Sequence, residues 1–154
     1  MIFLDAVRGR GRSAKSSDQK NDCLYEHCGW ATAIDSYSVY TPERMIDRNE
    51  STQWVSGTWC GSHPWCKINL GSPHSICRIR FVQAASSDIA SAMTLAGSNN
   101  DSTYTTVSDV TGLGANENIL TFPVNVYQYW KFTHVSGGTY GWQICTIQLY
   151  GPVE

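Results

Sequence analysis

No apolar run in this sequence approaches the roughly 18 residues that a membrane-crossing helix needs, so nothing in it reads as such a helix. Charge is scarce as well: 16% of residues are Asp, Glu, Lys or Arg, against about 25% in an average globular chain. Helical periodicity is missing, because no stretch outside the N-terminal leader keeps apolar residues at i, i+3, i+4 and i+7 over several turns. These absences exclude a coiled coil and a long-helix protein. The six Trp and eight Tyr exclude a disordered chain.

The signatures of common enzymes are also lacking. There is no G-x-S-x-G, H-E-x-x-H, P-loop or dinucleotide fingerprint. His27, His63, His74 and His134 are scattered, without a nucleophile or carboxylate at a telling spacing. The expectation is a protein that is not an enzyme. A secretory signal is not recognisable either: Met1-Ile-Phe-Leu is apolar, but Asp5 and Arg8 interrupt it short of a full apolar segment.

The 154 residues fit one domain, and that length can bury a core without disulfides or metal. The net charge of −2 conceals an asymmetry. Residues 1–20 carry Arg8, Arg10, Arg12, Lys15 and Lys20 against Asp5 and Asp18, whereas the remainder is acidic. A nucleic-acid-binding domain is expected to place a basic stripe on its folded part, so no nucleic-acid partner is expected. The division expected is a flexible basic leader over 1–21 and one folded domain over 22–154.

Six cysteines are compatible with three bridges. Cys77 and Cys145 lie in strand-like runs, ICRIRF and QICTIQLYG, and read as small core residues. Cys23, Cys28, Cys60 and Cys66 lie in loop-like stretches and read as the disulfide formers. With His27 and His63 they also offer enough ligands for zinc, but four and five intervening residues are looser than structural zinc pairs favour, so bridges or unpaired thiols are preferred.

What the chain has in abundance is short runs of Ile, Val, Thr, Tyr, Phe and Trp bounded by Gly, Asn, Asp, Ser and Pro, the pattern of β-strands. Strands are expected at 30–34, 53–55, 66–70, 76–82, 92–97, 105–109, 118–122, 127–134 and 144–150. Ser98-Asn-Asn-Asp-Ser-Thr reads as the turn of a hairpin, and Pro42-Glu-Arg-Met-Ile as one helical turn. In 127–134 the Trp130–Phe132 face is the buried one; in 144–150 Cys145, Ile147 and Leu149 share a face. Many short strands point to a sandwich or jelly roll.

The segment 40–56 places Asp47, Asn49 and Thr52 in one turn. Oxygen donors in an irregular loop suit Ca2+; the same residues also make Asx-type bonds that hold a turn without metal.

MIDRNESTQWVS, SHPWCKINLGSPHSICRIRF, LAGSNNDSTYTTVSD, YWKFT and ICTIQLYG occur in this order over about residues 30–151. The series resembles the discoidin family, also called coagulation-factor C-type domains, which includes many carbohydrate-binding modules. The resemblance implies an all-β fold, an eight-stranded antiparallel jelly-roll β-sandwich of the galactose-binding-domain type. It implies ligand-binding loops at one end and a structural Ca2+ nearby, held by Asp47, Asn49 and Thr52. Thr52 and Trp54 match the family's T-x-W element and Pro64-Trp65 its PW, with Trp54 and Trp65 expected to pack internally. The carboxylate that the family carries in its last strand falls on Gln148, a poorer ligand for a hard cation.

Galactose-binding members carry a His after T-x-W and an Arg in a later loop. Here Val55 follows Trp54, and the 84–92 loop has no Arg, so galactose specificity does not carry over. The residues able to take its place are Tyr37 and Tyr40, Trp59 and His63, and Tyr140. An exposed aromatic covers the apolar face of a sugar ring while polar groups fix its hydroxyls; Trp59 is the preferred exposed candidate. The function implied is non-catalytic, lectin-like recognition of a glycan or glycoprotein, with calcium and cell adhesion as associated properties.

Intracellular relatives suggest an alternative, a protein–protein docking module. Phospholipid-binding relatives carry apolar spikes backed by basic residues; the loops near Trp59 are not basic, and an acidic domain is repelled by anionic lipid, so membrane binding is disfavoured. The aromatic loops and cysteine pairs favour an extracellular or cell-surface location, the unrecognised signal an intracellular one. Homo-oligomerisation is left open.

Overall fold

The computed structural model describes residues 25–27 and 29–153. Within them the chain forms eight strands: β1 Tyr25–His27, β2 Trp30–Ala33, β3 Trp54–Trp59, β4 Trp65–Gln83, β5 Ala92–Ser98, β6 Thr105–Thr111, β7 Asn116–Ser136 and β8 Gly141–Gly151. The helical content of these residues is two short 3-10 turns, Pro42–Met45 and Cys60–Ser62. The first is the turn expected from Pro42-Glu-Arg-Met-Ile. Pro42 suits its start, since a missing N–H costs nothing there.

All pairings are antiparallel, in the order β1-β8-β4-β7-β5-β6, with β2 on β4 and β3 on β8. The expected runs 66–70 and 76–82 are one bent strand, and so are 118–122 and 127–134. Continuity comes from bulges. Registers between β4 and β7 slip between Asn69 and His74 and again between Ile76 and Arg78. Gly71 at φ 81° carries the bend, a conformation that favours glycine. One long strand thereby serves two parts of the sandwich and folds it around a common core.

That core contains Trp54, Trp130, Trp142, Phe81, Phe132, Ile68, Ile79 and Leu95, all essentially inaccessible. Phe81 stacks on Phe132 at 5.8 Å, and Trp54 meets Trp142 edge on at 6.0 Å. The expected inward face of 127–134 is correct: Trp130, Phe132 and His134 are buried. The expectation for β8 needs correction. Val82 pairs with Thr146 but Gln83 with Ile144, so an extra residue, Cys145, bulges from the ladder. The bulge switches phase: Ile144 and Ile147 both join the main core, and Cys145 packs with Val82 and Ala84 in a separate cluster.

Three of the cysteine expectations fail, at Cys60, Cys66 and Cys77, while Cys145 is the buried free thiol expected. Cys60 and Cys66 are free thiols, both buried, whereas Cys77 is disulfide-bonded. Burial pushes the Cys66 thiol well above its usual range. Its position in β4, paired with Phe132 of β7, makes it a small core residue rather than a loop residue. Cys23 and Cys28, like the leader over 1–21, lie outside the described residues. Trp65 also departs from expectation: it is half-buried on the outer face, with the ammonium groups of Lys131 and Lys67 over its ring at 4.7 and 5.9 Å.

Candidate functional site

Where β3 meets the start of β8, the surface opens into a cleft of about 460 Å3. Val55 pairs with Gln143 and Trp59 with Gly141 across this junction. The walls carry two aromatic pairs. Tyr37 stacks on Tyr40 with ring centroids 6.5 Å apart, and Trp59 meets Tyr140 edge to face at 5.8 Å. Tyr37, Trp59 and Tyr140 are each more than 60% exposed, which is unusual for rings this large. Polar groups of Gln53, Ser56, Asp88 and Gln143 complete the lining.

Backbone bonds fix the first wall. Tyr37 N–H donates to Val55 O at 2.8 Å, Val55 N–H to Tyr40 O at 3.2 Å, and Tyr40 N–H to Tyr37 O at 3.2 Å. Asp35 ties the same loop to β3. Its carboxylate accepts from Gly57 N–H at 2.8 Å and Thr58 Oγ1 at 2.6 Å, and its carbonyl accepts from the Trp54 indole at 3.0 Å. Exposed Tyr37 and half-buried Tyr40 are therefore side chains on a pinned loop, preorganised before any ligand arrives.

The opposite wall depends on the 84–92 loop. Asp88 Oδ1 accepts from Thr139 N–H at 3.2 Å and Tyr140 N–H at 3.0 Å, and Asp88 O accepts from Gln143 N–H at 3.1 Å. Gly137 and Gly138, at φ 99° and 67°, bring the following turn against this loop. A Cβ on Gly137 would lie 2.5 Å from Ser91 N, and one on Gly138 would lie 2.9 Å from Cys60 Sγ. Beneath them, burial and the nearby Asp88 charge push the Cys60 thiol up to about 11.

Buried Gln83 anchors the loop from below. Its Oε1 accepts from Ala90 N–H and the Trp142 indole, both at 2.8 Å. Its Nε2 donates to Ala90 O at 2.9 Å and Gly114 O at 3.0 Å. The side-chain amide thus has all four of its bonds, as burial demands. Core, loop and cleft wall share one network.

Of the residues proposed from sequence, Tyr37, Tyr40, Trp59 and Tyr140 come together in this cleft. His63 does not line it; its Nδ1 pairs with His134 O at 3.1 Å beside the β7 end. The sequence reading missed Asp88, Gln53 and Gln143. Asp88 stands in a loop of Ala, Ser and Ile without a motif to mark it, and only tertiary contact reveals its place.

Asp47, Asn49 and Thr52 share one turn. Asp47 accepts from Asn49 N–H at 2.8 Å and from Thr52 Oγ1 at 2.6 Å, while Asn49 Oδ1 accepts from Ser51 N–H at 3.0 Å. Gln148 lies across from Arg80 in the β4–β8 ladder and accepts from its Nη1 at 3.0 Å. Arg80 Nη2 reaches Glu50 of the turn at 2.6 Å, and its Nε pairs with Glu117. Glu117 foremost, with Glu50, holds the guanidinium in its charged form. A cation supplied by the chain therefore stands between the turn and Gln148.

Comparison with known proteins places these features. The model of the F5/8 type C domain matches residues 30–147. No curated protein sequence matches the chain. Among solved structures, chitosan-binding module 1 from a chitosanase/glucanase of Paenibacillus sp. IK-5 is 25% identical, with TM-score 0.71 over 80% of this chain and 95% of that one. Module 2 of the same enzyme, in complex with chitotriose, is 22% identical with TM-score 0.73 over 80% and 96%. The family 32 CBM of C. perfringens NanJ, in complex with galactose, is 22% identical with TM-score 0.70 over 79% and 92%. Antiparallel sandwich, ordered motifs and a family match over most of the chain agree: it belongs to the F5/8 type C domain family.

Proposed function

We propose that this chain is a non-catalytic glycan-binding module that takes a sugar into the cleft between Tyr37–Tyr40 and Trp59–Tyr140. The observation that carries the reading is two aromatic pairs, with Tyr37, Trp59 and Tyr140 exposed, lining a preformed polar cleft. Sugar rings have C–H faces that such rings cover, and hydroxyls that Gln53, Gln143 and Asp88 can bond. The fold neighbours crystallised as chitosan- and galactose-binding modules lend support.

A panel of immobilised glycans probed with folded protein tests the reading. Binding to at least one sugar that is lost in Trp59→Ala is expected. A folded protein that retains no glycan overturns it.

We also infer that the 47–52 turn stands without calcium. A hard cation takes six to eight oxygens, carboxylates foremost. The side-chain donors here are the Asp47 carboxylate already bonded twice, an amide oxygen already bonded, a hydroxyl, and a neutral Gln148 that faces Arg80, while the turn's second carboxylate, Glu50, is paired with that same Arg80. This donor set does not fit Ca2+, and the guanidinium opposes a second positive charge beside it. Calorimetric titration with CaCl2 after chelation is expected to show no binding heat; a saturable isotherm would reverse the inference.

A further inference from the structure

We propose that the cleft selects glycans whose units carry a free ammonium, oligomers of glucosamine above all, with Asp88 as the counter-charge. This rests on the glycan-binding reading and goes on to name the ligand class. Among the described residues, Asp88 is the only Asp, Glu, Lys or Arg side chain that lines the cleft; every other lining group is aromatic, aliphatic, amide, hydroxyl or backbone. The site therefore has one sign of charge.

Its carboxylate is also half committed and half free. Oδ1 is held by the Thr139 and Tyr140 amides, while among the described residues no donor reaches Oδ2. A carboxylate fixed at one oxygen and open at the other is suited to an incoming N–H donor, and an ammonium gives the stronger, charge-assisted bond. A uronate or sialyl carboxylate would meet repulsion there, with no basic side chain in the lining to offset it.

Arg44 lies over the ring of Tyr40, 5.4 Å from its centroid, and does not line the cleft. The aromatic pairs then give the ligand its shape selectivity. An amino-sugar ring keeps apolar C–H faces to set against Trp59 or Tyr37, with its ammonium projecting from the ring edge toward the 84–92 loop.

The test uses two ligands that differ only in acetylation: a glucosamine hexamer and an N-acetylglucosamine hexamer. Titrations are made at a mildly acidic pH that keeps the amines protonated, with an oligogalacturonate as the anionic control. The glucosamine hexamer should bind roughly tenfold tighter than its acetylated counterpart, the span of one charged hydrogen bond. Asp88→Asn, which keeps an acceptor for the two amides, should erase that preference, lowering affinity for the glucosamine hexamer about tenfold more than for the acetylated one. Trp59→Ala should weaken both. The wild-type ligand pair decides the matter even if Asp88→Asn does not fold.

Equal affinity for the two hexamers, or a preference that survives in folded Asp88→Asn, overturns the amino-sugar assignment. So does tight binding of the galacturonate. Binding of the glucosamine hexamer that is indifferent to Trp59→Ala places it outside the cleft and also overturns the assignment. In each case a neutral sugar bound in the cleft would leave the glycan-binding reading standing; failure of every sugar would remove both.

Discussion

The indole of Trp59 and the phenol of Tyr140 pack edge to face at 5.8 Å, yet each is more than 60% exposed. The contact joins the end of β3 to the residue preceding β8, and a backbone bond from Cys60 N–H to Tyr140 O, at 2.8 Å, closes it. Neither ring contributes much to the core. Their arrangement makes physical sense as a surface awaiting a partner.

Removing either ring is therefore expected to affect binding far more than folding. Trp59→Ala should lower glycan affinity by roughly tenfold or more, given the weight of aromatic anchors at binding surfaces. Stability should change by less than about 1 kcal/mol, as for exposed positions generally. Calorimetry and urea denaturation on the same preparation check both halves.

Gln83 is the opposite case. Gln83→Leu would leave the Trp142 indole N–H, both backbone groups of Ala90 and the Gly114 carbonyl without their partner. Each buried unsatisfied group costs about 1–3 kcal/mol, so a loss of roughly 3 kcal/mol or more is expected in denaturation. Where the variant still folds, ligand affinity should fall too, because Asp88 rides on the released loop.

Gly141 tests the floor of the cleft. A Cβ there would lie 2.1 Å from Ser56 O and 3.0 Å from Val55 Cγ1. Gly141→Ala is expected to force β3 and β8 apart at a cost of about 1–3 kcal/mol, the range for overpacking. Thermal unfolding would register the loss, and sugar binding would weaken with it.

His134 predicts a pH dependence. It is buried against Trp142 at 5.4 Å, and neither ring nitrogen makes a well-formed hydrogen bond among the described residues. Burial foremost, and also the neighbouring His63, hold its imidazole below the usual range. The unfolded chain then binds the proton more readily than the folded one. The contribution is complete above the unfolded value of about 6.5 and is lost as pH falls through it toward the folded value. Tm should drop over this window in the wild type and less in His134→Phe; equal slopes would count against the assignment.

Arg80 predicts indifference to chelators. EDTA and added CaCl2 should leave Tm unchanged, whereas Arg80→Met should lower stability by about 1 kcal/mol through the loss of its partly exposed contacts to Glu50, Glu117 and Gln148. A rise in Tm on adding calcium to the wild type would instead show that the turn takes the ion.

The fold was largely legible in the sequence because strand periodicity and turn residues are local signals. The runs 30–34 and 92–97, the turn at Pro42, the inward Trp130–Phe132 face and the ordered family motifs all appear in the structure. What misled were features that locality cannot show. The β8 bulge placed Cys145 outside the main core, and bends within β4 and β7 joined runs that read as separate strands. Cys66, read both as the start of the 66–70 run and as a disulfide former, is a residue of β4, which begins at Trp65.

The candidate site divides in the same way. Composition and motif order determined by themselves that the chain is an aromatic-rich β-sandwich of this family, and they nominated Tyr37, Tyr40, Trp59 and Tyr140. Only tertiary structure decided that these four share a cleft while His63 faces elsewhere. Only it placed Asp88 as the one charge in the lining among the described residues, and Arg80 between the turn and Gln148. The physical reason is distance along the chain: local patterning fixes which face of a strand is apolar, but the packing of distant segments chooses which loops meet and which charges they bring.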